Sequence, residues 1–154
     1  MTEQQRLLET CREAAEEAAL AGGRILLAHR YAPLEIEHKE LQEVVTNVDR
    51  LSDDAICAVL RRAFPNHAIV SEESGAHDAS SPYRWIVDPL DGTESYIRGL
   101  HFSAVTIALT YENETVLGVV YNPFHDELYT AVADRKSTRL NSSHSQQSRM
   151  PSSA

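Results

Sequence analysis

The sequence predicts an α+β fold in which two helices precede an antiparallel β-meander. Three observations carry that expectation. Apolar residues recur at helical spacing from Leu7 to Leu26 and again from Val48 to Ala63. Beyond residue 100 the pattern changes to strands at Phe102–Thr110, Val116–Tyr121 and Glu127–Val132. Turn-forming runs, Glu112-Asn113-Glu114 and Asn122-Pro123, separate those strands.

Thr2 and Gln5 have the spacing of a capping box. Behind them Leu7, Leu8, Cys11, Ala14, Ala15, Ala18, Ala19, Ile25 and Leu26 form one apolar stripe, opposite Glu13, Glu16 and Glu17. The helix is expected to end near Tyr31–Pro33. Gly22-Gly23 within it reads as close packing, since no strand precedes it to make a phosphate loop. Leu34-Glu35-Ile36-Glu37 alternates like a short strand. A second helix is expected from Asn47 to Phe64, with Val48, Leu51, Ala55, Val59, Leu60 and Ala63 inward, and Pro65 stops it. Short strands follow at Ala68–Val70 and Arg84–Val87. Thr93–Arg98 fits one or two helical turns closed by Gly99.

Length and composition narrow the function. The chain has 154 residues, 42% of them hydrophobic, which suits one domain with a real core. Its formal charge of −9 argues against nucleic acid and anionic membrane as partners, because both need basic patches. No apolar run approaches a membrane span, and the polar N-terminus has no signal-peptide pattern. Cys11 and Cys57 give no disulfide framework, so a cytoplasmic location is expected. The seven histidines lack zinc spacing. Cys11 and Trp85 read as core.

The character changes after Ala133. From Ser137 to Ala154, seven of 18 residues are serine, and only Leu140, Met150 and Ala154 are apolar. Arg135 onward contributes four positive and no negative charges, which leaves −13 on the first 134 residues. Such a segment buries too little surface to offset its ordering entropy. Residues 1–133 are therefore expected to form the domain and 134–154 a disordered tail. The string from Arg135 to Ala154 also resembles translated sequencing-adaptor read-through, so the tail is expected to be foreign to the fold.

The sharpest feature is Asp88-Pro89-Leu90-Asp91-Gly92-Thr93, delivered by the apolar run Trp85-Ile86-Val87. Ligand sites commonly form where strands end. Mg²⁺ prefers oxygen ligands and typically takes one or two carboxylates besides water and phosphate. Asp88 and Asp91, three residues apart across a turn stiffened by Pro89, can face one cation or bridge a pair. Gly92 lets backbone approach a ligand, and the amides of Gly92 and Thr93 would open a short helix toward phosphate. The plainer alternative is an Asx-turn with Asp91 and Thr93 as helix caps. Haloacid-dehalogenase-type phosphatases also place Asp-Gly-Thr after a strand, but their nucleophilic Asp would fall at Pro89, which cannot attack phosphorus. Two further acidic groups lie near element ends: Glu72-Glu73-Ser74, otherwise a solvated loop, and Asp49, otherwise the partner of Thr46 in a capping box.

Glu72-Glu73-Ser74, Asp88–Thr93 and Val45-Thr46…Asp49 together resemble the three N-terminal motifs of the inositol monophosphatase family, and Gly118-Val119-Val120-Tyr121 is similar too. The resemblance covers roughly residues 5 to 132. It implies the N-terminal portion of a layered αβαβα sugar-phosphatase fold, truncated here. It also implies Mg²⁺ as cofactor and a small phosphate monoester as substrate, inositol monophosphate first, hydrolysed by water activated between two cations. Glu72, Asp88 and the Leu90 carbonyl would hold the first Mg²⁺, and Asp88 and Asp91 the second. Glu72 and Thr93 would position the water, with Asp49 bonded to Thr93. Asp91 and the amides of Gly92 and Thr93 would meet the phosphate, and Glu73 and Lys39 would support the site from behind. Lithium sensitivity and a homodimeric full-length parent are further implications.

The sequence departs from the family pattern at Glu94-Ser95-Tyr96, at Arg98 where histidine is common, and at Glu43 where Asp often precedes Val-Thr. The family's second half, with a further metal-ligating Asp, has no counterpart, so this chain is expected to lack activity. Alternatives within the same superfamily are 3′(2′),5′-bisphosphate nucleotidase, fructose-1,6-bisphosphatase and histidinol-phosphatase activities. A non-catalytic cation-binding fragment is the alternative outside it.

Overall fold

The computed structural model of the chain describes residues 1–39, 44–77, 80–134 and 137–142. Helix α1 spans Glu3–His29, and Thr2 caps it as expected, accepting from the Gln5 amide while the Gln5 side chain accepts from the Thr2 amide at 2.8 Å. Helix α2 spans Asn47–Ala63 behind a second capping box, Thr46 with Asp49. Helix α3 is a short piece, Thr93–Ile97. The strands are β1 (Ile36–His38), β2 (Val44–Thr46), β3 (Ala68–Ser71), β4 (Gly75–His77), β5 (Tyr83–Asp91), β6 (Ala104–Tyr111), β7 (Glu114–Asn122), β8 (Glu127–Asp134) and β9 (Ser137–Ser142).

β1 and β2 form a separate antiparallel ribbon, and the other seven make one sheet in the order β4-β3-β5-β6-β7-β8-β9. From β6 to β8 it is the expected meander, and β5 and β9 extend it on either side. Glu112 and Asn113 turn the β6–β7 hairpin with φ of 49° and 69°, the left-handed pair that suits a tight two-residue loop. The sheet is nonetheless mixed, because β3 runs parallel to β5. Residues 68–87 hold two short strand patterns that fit either direction. β4, folding back antiparallel on β3, takes the outer edge and leaves β5 the other side.

Alternation sorts each strand into two faces. Trp85, Val87, Val105, Ile107, Leu109, Leu117 and Val119 are all buried against α1 and α2. α1 lies close over β7 because its glycines leave room: a Cβ at Gly23 would collide with the Tyr121 ring, and one at Gly22 would stand 2.7 Å from Ile56. Gly22-Gly23 is thus close packing. On the opposite face the register aligns Val70, Ile86, Ala108, Gly118 and Ala131 in one row, and Ile86 is 45% exposed. Among the described residues no helix packs on that face. No described helix is long and apolar enough to cross a membrane.

Two sequence expectations need correction here. Leu51 is 41% exposed, whereas Ser52, Asp53, Ile56 and Cys57 are buried, so the inner face of α2 is rotated from the purely apolar stripe. The polar members of that face have hydrogen-bond partners that repay burial, described below. The boundary at 133/134 falls within β8, and Ser137–Ser142 pairs antiparallel with it as an edge strand. An exposed sheet edge offers backbone partners regardless of side chain, so a core-free segment can still pair there. Glu43 and the rest of the Ser-rich stretch, residues 143–154, lie outside the described residues.

Candidate functional site

The parallel β3–β5 pairing places the site. Ser71 lies opposite Val87, and the Glu72 amide donates to the Val87 carbonyl at 3.1 Å. Glu72 and Asp88 therefore follow side by side at the carboxyl ends of adjacent strands, where ligand sites form in open sheets. Asp88 is half-buried. Burial first, then the Glu72 carboxylate within hydrogen-bonding reach, and then Asp91, push its carboxyl up to about 7. Its Oδ1 accepts from the Leu90 amide at 3.2 Å, so Asp88 itself makes the Asx-turn.

The β5–β6 register shifts between Asp88 and Asp91, which turns the chain out of the ladder at this point. Gly92 follows with φ of 83°, and a Cβ there would meet the Phe102 carbonyl at 2.7 Å. Both observations demand glycine. Ser103 donates to the Gly92 carbonyl at 3.0 Å and fixes the turn from behind. Gly92 is the N-cap of α3 and makes no side-chain cap bond, so Asp91 and Thr93 are not caps. Tyr96, buried in α3, donates to the Leu26 carbonyl at 2.7 Å and ties the turn to α1.

Asp49 combines both roles weighed for it. Its Oδ2 accepts from the Thr46 amide at 2.8 Å and the Thr46 hydroxyl at 2.6 Å. Its Oδ1 accepts from the Thr93 hydroxyl at 2.9 Å. Thr93 Oγ1 is also 3.1 Å from the Leu90 carbonyl. A hydroxyl has one proton, and the carboxylate is the stronger acceptor, so Asp49 orients Thr93. Lys39 Nζ donates to Glu73 at 2.9 Å, where the Glu73 side chain is only 6% exposed. Burial pushes the Glu73 carboxyl up, and Lys39 opposes that shift.

Among the described residues no group of three or more His, Cys, Asp and Glu side chains stands ready to hold a metal ion. The donor chemistry nevertheless fits a hard divalent cation: adjacent carboxylates whose mutual repulsion raises Asp88, with a backbone carbonyl in the same turn. Asp91 and Glu72 are solvent-exposed, free to adjust toward a ligand. Ser52, Ser71 and Ser103 bond to the site's backbone, and Asp53 accepts from the Ser71 hydroxyl; the sequence alone does not single out any of the four. Asp53 had a signal, four residues after Asp49 on the same helix face. Ser103 had none.

The inositol monophosphatase family profile matches residues 7–154. The chain belongs to the inositol monophosphatase family. It is 42% identical over 119 residues to a fructose-1,6-bisphosphatase/inositol-1-monophosphatase of Aquifex aeolicus, covering 76% of this chain and 45% of that one. Inositol monophosphatase 2 of Solanum lycopersicum is 41% identical over 128 residues, covering 80% and 48% respectively. Among solved structures, the extragenic suppressor protein suhB of Bartonella henselae superposes with a TM-score of 0.76 at 37% identity, covering 84% of this chain and 50% of its own. This inositol monophosphatase family chain thus spans about half the length of the curated relatives it matches. The likeness agrees with an α+β chain that holds the first part of the family fold.

Proposed function

We propose that this sequence supplies the cation- and phosphate-binding half of a phosphoric monoester hydrolase acting on a small phosphate monoester, inositol monophosphate first. The observation that carries the reading is the Glu72–Asp88 juxtaposition on parallel strands, with the Asp49–Thr93 hydrogen bond beside it. Glu72, Asp88, Asp91 and the Leu90 carbonyl would hold Mg²⁺. When bound, the cation supplies positive charge for the phosphate oxygens and lowers the pKa of water.

The remaining roles belong to the chain itself. Thr93, its proton given to Asp49, turns an oxygen lone pair outward as an acceptor for the attacking water. Glu72 takes the proton of that water as its oxygen attacks phosphorus, while the P–O ester bond opposite breaks and the departing alkoxide takes a proton from solvent to leave as the alcohol. The amides of Gly92 and Thr93 face the phosphate. Lys39 neutralises Glu73, which keeps a second negative charge from building up behind Glu72.

A second reading concerns the 154-residue chain alone: it binds the cation without turnover. It is supported by the half-length match to relatives. One experiment tests both. Phosphate release is measured from inositol 1-phosphate, fructose 1,6-bisphosphate and adenosine 3′,5′-bisphosphate across a Mg²⁺ titration. The substrates are given to this chain and to a version extended to the relatives' length. Release from inositol 1-phosphate by the extended version only is the expected result. Absence of Mg²⁺-dependent release from any substrate by the extended version would overturn the hydrolase reading. Release by the short chain would overturn the second.

A further inference from the structure

α2 presents Asp49, Ser52 and Asp53 at positions i, i+3 and i+4, hence on one face. All three are buried, at 2%, 0% and 2% exposure. Three polar residues on the inner face of a helix are unfavourable unless each is hydrogen-bonded. Each is, and each reaches a different segment of the site. Asp49 holds Thr93. The Ser52 hydroxyl donates to the Pro89 carbonyl at 2.8 Å, inside the stretch where the β5–β6 ladder is interrupted. Asp53 accepts from the Ser71 hydroxyl, and Ser71 Oγ in turn accepts from the Glu73 amide at 3.2 Å.

These bonds connect the two carboxylate-bearing turns through one rigid element. Ser52 fixes the carbonyl between Asp88 and Leu90. Asp53, through Ser71, fixes the turn that carries Glu72. The facing residue of α1 is Gly22, where a Cβ would stand 2.8 Å from the Ser52 hydroxyl, so α1 leaves that bond room. Glu72 and Asp88 repel one another, and two such groups hold a fixed separation only where their backbones are restrained.

We propose that Ser52 and Asp53 are positioning residues, and that α2 is the brace that sets the spacing of the Glu72 turn and the Asp88–Asp91 turn for a divalent cation. The inference rests on the reading that these carboxylates hold the cation. Residues that orient metal ligands without touching the metal typically govern affinity by about 10- to 100-fold.

The test uses the 154-residue chain with Mn²⁺ as probe, followed by calorimetry, alongside amide exchange in the absence of the cation. Ser52→Ala and Ser71→Ala should each weaken Mn²⁺ binding about 10-fold. Each should also accelerate exchange, at residues 90–93 and at the Glu73 amide respectively, while thermal midpoints change little. Ser71→Thr keeps the hydroxyl and should restore both readouts, which a packing role alone would not predict. Unchanged affinity and unchanged exchange in both alanine variants would overturn the brace, while loss of binding in Asp88→Asn would leave the cation reading standing. A parent chain that binds no Mn²⁺ would overturn the cation reading, and the exchange data would then decide the brace alone: acceleration supports it, and its absence overturns it.

Discussion

Glu72 and Asp88 occupy equivalent positions on two parallel strands, one step beyond the Ser71–Val87 pair, and their carboxyls stand within hydrogen-bonding reach. Only a parallel pair brings two carboxyl-terminal strand ends together in this way. An antiparallel hairpin of the same residues would have put Glu72 and Asp88 at opposite ends. The juxtaposition is unfavourable in the absence of a cation, because burial and a like charge both oppose ionisation of Asp88.

Asp88→Asn should therefore separate stability from binding. The amide removes the repulsion and keeps an oxygen that accepts from the Leu90 amide, so the metal-free fold should gain about 1 kcal/mol at pH 8 after solvent screening is allowed for. Cation binding should be lost in the same variant. Urea melts without metal, set beside Mn²⁺ calorimetry, check the pair. A variant that loses stability and keeps its affinity would contradict the assignment of Asp88.

Thr93→Val keeps the shape of the side chain and deletes the hydroxyl. Asp49 retains its bonds from Thr46, so the fold should lose only about 1 kcal/mol. In a version extended to the relatives' length, turnover should fall by about 100-fold or more, because the residue proposed to align the water is gone. Equal turnover in Thr93→Val and the parent would remove Thr93 from the chemistry. Thr93→Ser, which keeps the hydroxyl, should retain most of the rate.

The helices were legible because each carries its own punctuation: Thr2 with Gln5, Thr46 with Asp49, and Pro65 after Phe64. The β6–β7 hairpin was legible for the same local reason, a tight turn at Glu112-Asn113 between alternating runs. Strand direction was not, since a period of two is the same in parallel and antiparallel pairs. β4, only three exposed residues, carries no pattern at all. The acidic motifs can be picked out by residue type and by likeness to a known family. The hydroxyls that hold them cannot. Ser52 and Asp53 look like the solvent side of an amphipathic helix, and Leu51 looks like the core side, yet burial runs the other way. That inversion follows from long-range bonds to Pro89 and Ser71, which no local window contains.

Two glycines should respond in opposite senses to the same substitution. Gly23→Ala drives a methyl group into the Tyr121 ring and brings it to 3.2 Å from Pro123, where α1 crosses the sheet. Overpacking of this kind should destabilise the chain by about 1–3 kcal/mol. At Gly118, on the helix-free face of β7, a methyl group would meet nothing within 4 Å, and the backbone φ is not positive. Gly118→Ala should be neutral or stabilise by up to about 1 kcal/mol through the unfolded state. Denaturant midpoints of the two variants check the contrast. A Gly118→Ala chain as unstable as Gly23→Ala would show that the outer face is covered in solution.

Acid should weaken the fold at His67. The ring stacks on Phe64 at 4.5 Å and on Tyr83 at 4.9 Å, and its Nδ1 is buried with no hydrogen-bond partner among the described residues. Burial lowers its pKa from the ordinary histidine value of 6.5. The unfolded chain therefore takes up a proton at this residue at higher pH than the folded chain does. The stability that neutral His67 contributes is fully present above about pH 6.5 and is lost as pH falls through the lower folded value. The loss should stay below about 1 kcal/mol, because the ring is partly exposed and solvent screens its charge. Other groups titrate over the same range, so the comparison must be internal. Denaturation free energies at pH 7.5 and 5.0, measured for the parent and for His67→Phe, isolate the residue. Phenylalanine keeps the stack between Phe64 and Tyr83 and cannot take a proton, so its pH dependence should be the shallower of the two. Equal slopes would place the His67 proton equilibrium outside the folding reaction.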